Sequence, residues 1–351
     1  MKIKAAVLRE SLKELVIEEI EFRDLLKAGQ VLVKIQYSGI CGAQINEIDA
    51  VKGPDKFLPH LLGHEGVGFV IDVGPGVTKV SVGDRVILHW RKGSGIEATP
   101  ARFFFGETII NSGWVTTFSD HSVVSENRIT VLPKAGLDGI QKSLPLLGCA
   151  LTTALGVLEN DAKVGIRDHV LIFGAGGVGL CLVGLSRIFG IRNLSVVDID
   201  SAKLGLAKQL GARNTILYQD KQTCAKELSQ LSVNNGFSVA IETSGKKTSI
   251  ELSYELSSPN ARVVLVGVPD AREKVSLYTL PLHFGKRIYG SHGGQSDPDR
   301  DIPFLLDLIG SGKFDVEKIP LNIYSLDDVN HAINGIRSGN VGRTILDMEN
   351  I

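Results

Sequence analysis

The feature that most constrains the fold is a glycine-rich turn between a strand and a helix. Gly174-Ala175-Gly176-Gly177-Val178-Gly179 follows the apolar run 170–173 and opens the apolar segment 178–189. This is G-x-G-x-x-G in the context the pattern requires. The first glycine permits the tight turn, the second lets backbone approach a pyrophosphate, and the third lets helix pack on strand. The helix N-terminus then offers free N–H groups and the positive end of its dipole. An acidic residue should close the next strand about 20 residues on, where it binds a ribose 2′-OH. Asp198 does so. A carboxylate there repels a 2′-phosphate, so NAD is expected over NADP. A turn that served packing alone would not call for an Asp at that spacing. Strand patterns at 170–174, 194–198, 214–217, 238–242 and 262–268 alternate with helical ones at 178–189, 202–210, 223–231 and 248–256. Such alternation indicates βαβ units around a parallel sheet, a doubly wound Rossmann arrangement.

The preceding part reads as β. Runs rich in Val and Ile at 3–8, 15–20, 30–37, 66–73, 85–90 and 115–126 are bounded by polar or Gly residues. Segment 91–113 is polar and aperiodic and reads as a long loop. A helix is expected at 150–159. Beyond 291 the chain shows helices at 302–309 and 326–336 and a strand at 344–348. At roughly 150 residues per domain, 351 residues favour two domains. The fold class is therefore α/β, a β-rich domain plus a doubly wound one. Its boundaries are expected at 1–149, 150–290 and 291–351, the last a return to the first domain.

A balance of 38 Lys+Arg against 39 Asp+Glu gives no basis for a nucleic-acid partner or an electrostatic membrane anchor. The start, MKIKAAVLRESLKE, lacks an apolar signal region. The most apolar stretch, 170–185, is interrupted by glycines and falls short of the roughly 20 residues a membrane helix needs. Four separated cysteines, Cys41, Cys149, Cys181 and Cys224, make no disulfide scaffold. The expectation is a cytoplasmic protein with no membrane partner.

A second constellation surrounds Gly63-His64-Glu65, followed by Gly68, Gly74 and Val77. Upstream lies Gly39-Ile40-Cys41-Gly42, and downstream Gly148-Cys149-Ala150-Leu151-Thr152-Thr153. Cys, His and Cys with one open position form a catalytic zinc site. Thiolate and imidazole suit Zn²⁺. Taken singly each residue is ambiguous, since a lone Cys is most often a small buried hydrophobe.

With both motifs in this order, the chain resembles the zinc-dependent medium-chain dehydrogenase/reductase superfamily, the alcohol dehydrogenase family, over nearly its whole length. The resemblance implies a GroES-like catalytic domain with a Rossmann domain inserted, the chain returning near Ser291-His292-Gly293-Gly294. It implies Cys41, His64 and Cys149 as zinc ligands. Glu65 would be a carboxylate near the zinc that can approach it transiently. For the cofactor it implies Gly174, Gly176, Gly177, Val178 and Gly179 at the pyrophosphate and Asp198 at the ribose. Lys203 would lie near the adenosine ribose, Thr153 beside the nicotinamide, Val266 and Val268 on the nicotinamide side, and Arg343 at the pyrophosphate. Hydride transfer between NAD(H) and a small alcohol or carbonyl is the implied reaction. A homodimer or homotetramer through sheet extension is the implied assembly.

The sequence departs from the family in two ways. Many members carry a four-cysteine structural zinc in a lobe after the strand matching 85–90. No cysteine occurs between Cys41 and Cys149, so one catalytic zinc and no structural zinc are expected. The usual proton path is also broken. The hydroxyl residue two after the first ligand is Ala43, the following Asp is Gln44, and a relay His is matched by Asn46. Glu47, His89 and Asp49 are the candidates to carry the proton. A substrate hydroxyl or water could serve instead, or turnover could be lost. Gln44, Glu47, His89 and Arg91 would suit a polyol or sugar substrate. Two rivals remain, a zinc-free enone or quinone reductase and a cofactor-binding protein without alcohol turnover.

Overall fold

The computed structural model describes residues 1–232 and 235–349. The chain divides into two compact units, Met1–Thr152 with Asp297–Ile351, and Thr153–Ser296. The first unit begins with β1 (Lys2–Leu8), β2 (Val16–Glu21), β3 (Gln30–Ile40), helix α1 (Gly42–Ile48), β4 (His60–Leu61), β5 (Glu65–Val73) and β6 (Arg85–His89). It continues with β7 (Arg102–Phe105), β8 (Thr108–Asn111), β9 (His121–Ser125) and β10 (Ile129–Val131). Strands β1, β2, β7, β8 and β4 close a small barrel. The chain leaves this unit through α2 (Ala150–Gly156).

The second unit runs β11 (His169–Phe173), α3 (Gly177–Ser186), β12 (Asn193–Asp198), α4 (Ser201–Leu210), β13 (Asn214–Leu217) and α5 (Lys221–Leu231). It ends with β14 (Phe237–Glu242), α6 (Lys247–Glu255), β15 (Ser257–Leu265) and β16 (Arg287–Gly290). All its strand pairs are parallel, in the order β13-β12-β11-β14-β15-β16. Central strands buried on both faces read as continuous apolar runs, as Val170 to Phe173 do. Helix α3 is apolar all round because it is buried all round, with Leu180, Cys181, Leu182, Val183 and Leu185 inaccessible to solvent.

The return supplies α7 (Pro298–Gly310), β17 (Leu321–Ser325), α8 (Val329–Arg337) and β18 (Arg343–Asp347). Strand β18 lies antiparallel to β3 and parallel to β17, completing a seven-stranded sheet that also holds β10, β6, β5 and β9. The structure thus combines a GroES-like β-rich unit with a Rossmann-like parallel sheet.

Three sequence expectations need correction. The return crossing falls at 296/297 rather than 290/291. The turn after β16 stays with the second unit because the Ser291 N–H donates to Leu265 O and the Asn160 amide donates to Gly294 O. The first crossing, at 152/153, lies within α2 rather than before it. Segment 91–113 is not one structureless loop, because it contains the β7–β8 hairpin. Phe103 and Ile110 pair in register and are fully buried, while Phe105 and Ile109 face outward. Each strand is only four residues long and buries a single side chain deeply, too short a period to register as alternation. The rest of the segment is pinned by carboxylates. Glu126 accepts the backbone N–H groups of Thr78, Lys79 and Ile96 at 2.6, 2.6 and 2.8 Å. Asp299 accepts the Ser94 N–H at 2.5 Å and pairs with Lys79 Nζ at 2.6 Å.

Candidate metal and dinucleotide sites

Cys41 follows β3 and caps α1, and His64 immediately precedes β5. These strands are antiparallel, with Ser38 opposite Gly66, so the two ligands emerge at the same end of the sheet. Cys149 follows the 3-10 segment Gln141–Gly148. A Cβ on Gly148 would lie 2.3 Å from Leu88 O and 3.1 Å from Glu65 Cα, so only glycine lets that segment press Cys149 onto β5 and β6. The ligand atoms of Cys41, His64 and Cys149 lie within 4.8 Å of one another. His64 Nε2 is 3.3 Å from Cys149 Sγ. Two sulfurs and an imidazole at this separation, with no fourth protein donor among the described residues, fit the donor set of a tetrahedral zinc with an open position.

The charges follow from the packing. The Cys41 thiol is held well below its ordinary range, first by the hydrogen bond from Cys149 and then by His64. Cys149 is pushed up by that same bond and by burial. Burial pulls His64 down, but the bond and charge of Cys41, with Glu65 and Glu47 behind, leave it raised. Gln44 bridges the first two ligands. Its Oε1 accepts the Cys41 N–H at 3.2 Å and its Nε2 stands 2.5 Å from His64 Nδ1. The one amide thus ties the imidazole to the backbone at the start of α1. Trp90 flanks the same imidazole, its ring centroid 6.4 Å away, and the Arg91 guanidinium lies 5.7 Å over the indole.

Glu65 and Arg343 meet in one buried pair. Glu65 is wholly buried, lies outside the ligand cluster and receives a hydrogen bond from Arg343 Nη2. Arg343 is itself 5% exposed. Its guanidinium neutralises Glu65. A buried carboxylate needs such a countercharge, and burial still leaves the Glu65 carboxyl raised. Gly39 makes room for it, since a Cβ there would sit 2.4 Å from Glu65 Oε1. No sequence pattern signals the pair, because its members stand 278 residues apart.

The three relay candidates separate. His89 is 1% exposed and both its ring nitrogens are engaged. Nδ1 donates to Arg91 O at 2.6 Å and Nε2 accepts from the Thr130 hydroxyl at 3.1 Å. It is a satisfied core histidine, which corrects its assignment both as a relay and as a substrate-facing polar group. Burial pushes it down to about 4. Asp49 is tied to Arg337 at 2.5 Å. Glu47 is half-buried on α1, and its carboxylate has no hydrogen bond or ion pair among the described residues.

In the second unit, Gly174 has φ of +95°. A Cβ on Gly179 would lie 1.9 Å from Gly174 O, whereas one on Gly176 would meet nothing within 4 Å. The third glycine is thus filled by backbone, and the second faces open space at the start of α3, where a pyrophosphate would approach. Gly177 and Val178 form the first turn of α3. Asp198 Oδ2 accepts the Ala175 N–H at 2.6 Å and Oδ1 accepts the Asp200 N–H at 2.9 Å, so the carboxylate is fixed against the glycine turn. Lys203 lies half-buried in the first turn of α4. Thr153 is buried in α2. Val266 donates its N–H to Glu242 O, and Val268 is exposed. No sequence motif marks Glu242. Fully buried at the end of β14, it accepts the N–H groups of Ser244 and Gly245 and shapes the next turn.

Residues 27–134 match the alcohol dehydrogenase GroES-like domain, and residues 177–311 match the zinc-binding dehydrogenase family. The chain belongs to the zinc-dependent medium-chain dehydrogenase/reductase superfamily. This superfamily member is 29% identical, over 99% of its length, to the whole of an S-(hydroxymethyl)glutathione dehydrogenase from Synechocystis sp.. Among solved structures it resembles an alcohol dehydrogenase zinc-binding domain protein from Burkholderia ambifaria, with TM-score 0.87 and 25% identity over 99% of each chain. It also resembles a benzyl alcohol dehydrogenase from Acinetobacter calcoaceticus, with TM-score 0.86 and 26% identity over 99% of each chain. Its activity is oxidoreduction of the alcohol dehydrogenase type.

Proposed function

We propose that the chain is a zinc- and NAD-dependent dehydrogenase of small primary or secondary alcohols, carrying one zinc at Cys41, His64 and Cys149 and none in segment 91–113. The observation that carries this reading is the convergence of those ligand atoms within 4.8 Å. Zinc, when bound, supplies a Lewis acid that polarises a carbonyl or acidifies an alcohol. The protein's own residues do the rest. Gln44 holds the His64 ring, Trp90 gives an apolar wall, and the Glu65–Arg343 pair supplies a fixed charge layer behind the ligands. In the second unit the glycine turn and the α3 N-terminus receive the pyrophosphate, with Val178 in the same turn. Asp198 receives the ribose and rejects a 2′-phosphate. Lys203 serves the adenosine side, Thr153 and Val266 with Val268 the nicotinamide side.

The relatives' names suggest benzyl alcohol and S-(hydroxymethyl)glutathione as first probes, with a polyol panel beside them. No helix among the described residues is long and apolar enough to cross a membrane, and a reducing compartment such as the cytoplasm suits two free thiol ligands. Edge strand β16, flanked by exposed Leu280 and Phe284, supports a homo-oligomer.

Elemental analysis with NADH and NADPH titration tests the reading. About one zinc per chain, NADH preferred, and alcohol oxidation abolished by chelation are expected. Cofactor binding without zinc would move the zinc-free reductase to first place. Zinc and cofactor without oxidation of any probe would leave a binding protein.

A further inference from the structure

We propose that Glu47 takes the place of the missing hydroxyl at Ala43 and accepts the proton of the substrate alcohol. The inference rests on the dehydrogenase reading above and adds the residue that completes it. Ala43 and Glu47 are four apart on α1 and share one stripe of the helix. Side chains on a helix lean toward its N-terminus. For α1 that is the end that begins at Cys41. Glu47 therefore leans over the space that a side chain longer than alanine would fill. Gln44, three residues before Glu47 on the neighbouring ridge, stands 2.5 Å from His64, so this side of α1 faces the metal ligands. The other candidates are spoken for, His89 by two internal hydrogen bonds and Asp49 by Arg337.

The electrostatics agree. Burial raises the Glu47 carboxyl above its ordinary range, toward the operating pH that suits a general base. The charged and titratable groups facing it are His64, His60 and Lys52, which pull it down, and Asp55, which pushes it up. Asp55 and His60 pair at 2.7 Å beside it. In the oxidation the alcohol O–H bond breaks and its proton passes to Glu47. The C–H bond breaks with both electrons, which leave as hydride to the nicotinamide of NAD⁺, and the carbonyl forms. Glu47 then yields its proton to solvent, so one proton is released for each NADH made.

The test compares the wild type, Glu47→Gln, and Glu47→Gln with Ala43→Ser, using benzyl alcohol and NAD⁺. Zinc content and NADH binding serve as folding controls. A general base is worth about 10²–10⁴-fold. Glu47→Gln is expected to lower kcat by at least 10²-fold and to erase the rise of rate with pH through the Glu47 titration. Restoring a hydroxyl at Ala43 is expected to recover part of that loss. The cobalt-loaded protein, titrated with pH without substrate, should show its visible spectrum changing at a shifted midpoint in Glu47→Gln. Wild-type rate, pH profile and cobalt midpoint in Glu47→Gln would overturn the proposal. If the wild type oxidises no alcohol, the dehydrogenase reading fails on its own, and the cobalt midpoint alone decides whether Glu47 addresses the metal site.

Discussion

Gln44 places a neutral amide behind a ligand imidazole. It fixes the ring through Nδ1 but adds no negative charge to strengthen the ligand. Loss of such a partner costs about 10–100-fold in metal affinity. Gln44→Leu is therefore expected to weaken zinc retention by about that factor, and Gln44→Asp to tighten it, in a chelator competition. His89 makes a prediction of a different kind. It titrates at about 4 when folded against an unfolded value of 6.5. Between those values the unfolded chain holds a proton the folded chain lacks, so stability falls as pH drops through that window. The loss approaches about 3 kcal/mol once pH is below about 4. His89→Gln should flatten the slope in urea unfolding between pH 7 and 4. A pH slope unchanged in that variant would refute the assignment of the buried neutral imidazole.

At the scale of elements, the turn from β11 into α3 separates two glycine roles. Gly179→Ala forces a methyl against Gly174 O and should destabilise the second unit and abolish NADH binding together. Gly176→Ala meets open space, so the melting temperature should hold while NADH affinity falls. Calorimetry beside a fluorescence titration distinguishes the two. Both glycine roles, and Asp198 at the close of β12, were legible because strand, turn and helix are contiguous. The β7–β8 hairpin and helix α1 were not. Each is short, and each exists because neighbours cover it: Ile3, Phe22 and Phe103 in the barrel core for the hairpin, Ile48 against the main core for α1.

For the whole molecule, a parallel sheet with β16 at one edge leaves unpaired strand groups exposed. A recess lined by Leu280, Pro281, Phe284 and Lys286 lies close by. Lys286 itself is buried, donating to Tyr254 O and Ser257 O at 2.8 and 2.7 Å, so the exposed character of this face is apolar. Phe284→Glu is expected to shift the protein toward a smaller species in light scattering without changing zinc content. An unchanged mass would exclude this face from the assembly.

The order of most elements and the Rossmann unit were legible in the sequence, because each depends on residues close in the chain. Cys41, His64 and Cys149 are too far apart in the chain for spacing to link them, so their common role came from the family resemblance, and NAD is the expectation drawn from Asp198. Folding decided what depends on long-range packing. It brought Arg343 to Glu65 and withdrew His89 into the core. It turned part of 91–113 into a hairpin pinned by Glu126 and Asp299. It also left the half-buried Glu47 carboxylate without a hydrogen bond or ion pair among the described residues. None of these follows from local pattern, since desolvation and countercharge are set by groups that meet only when the sheets close.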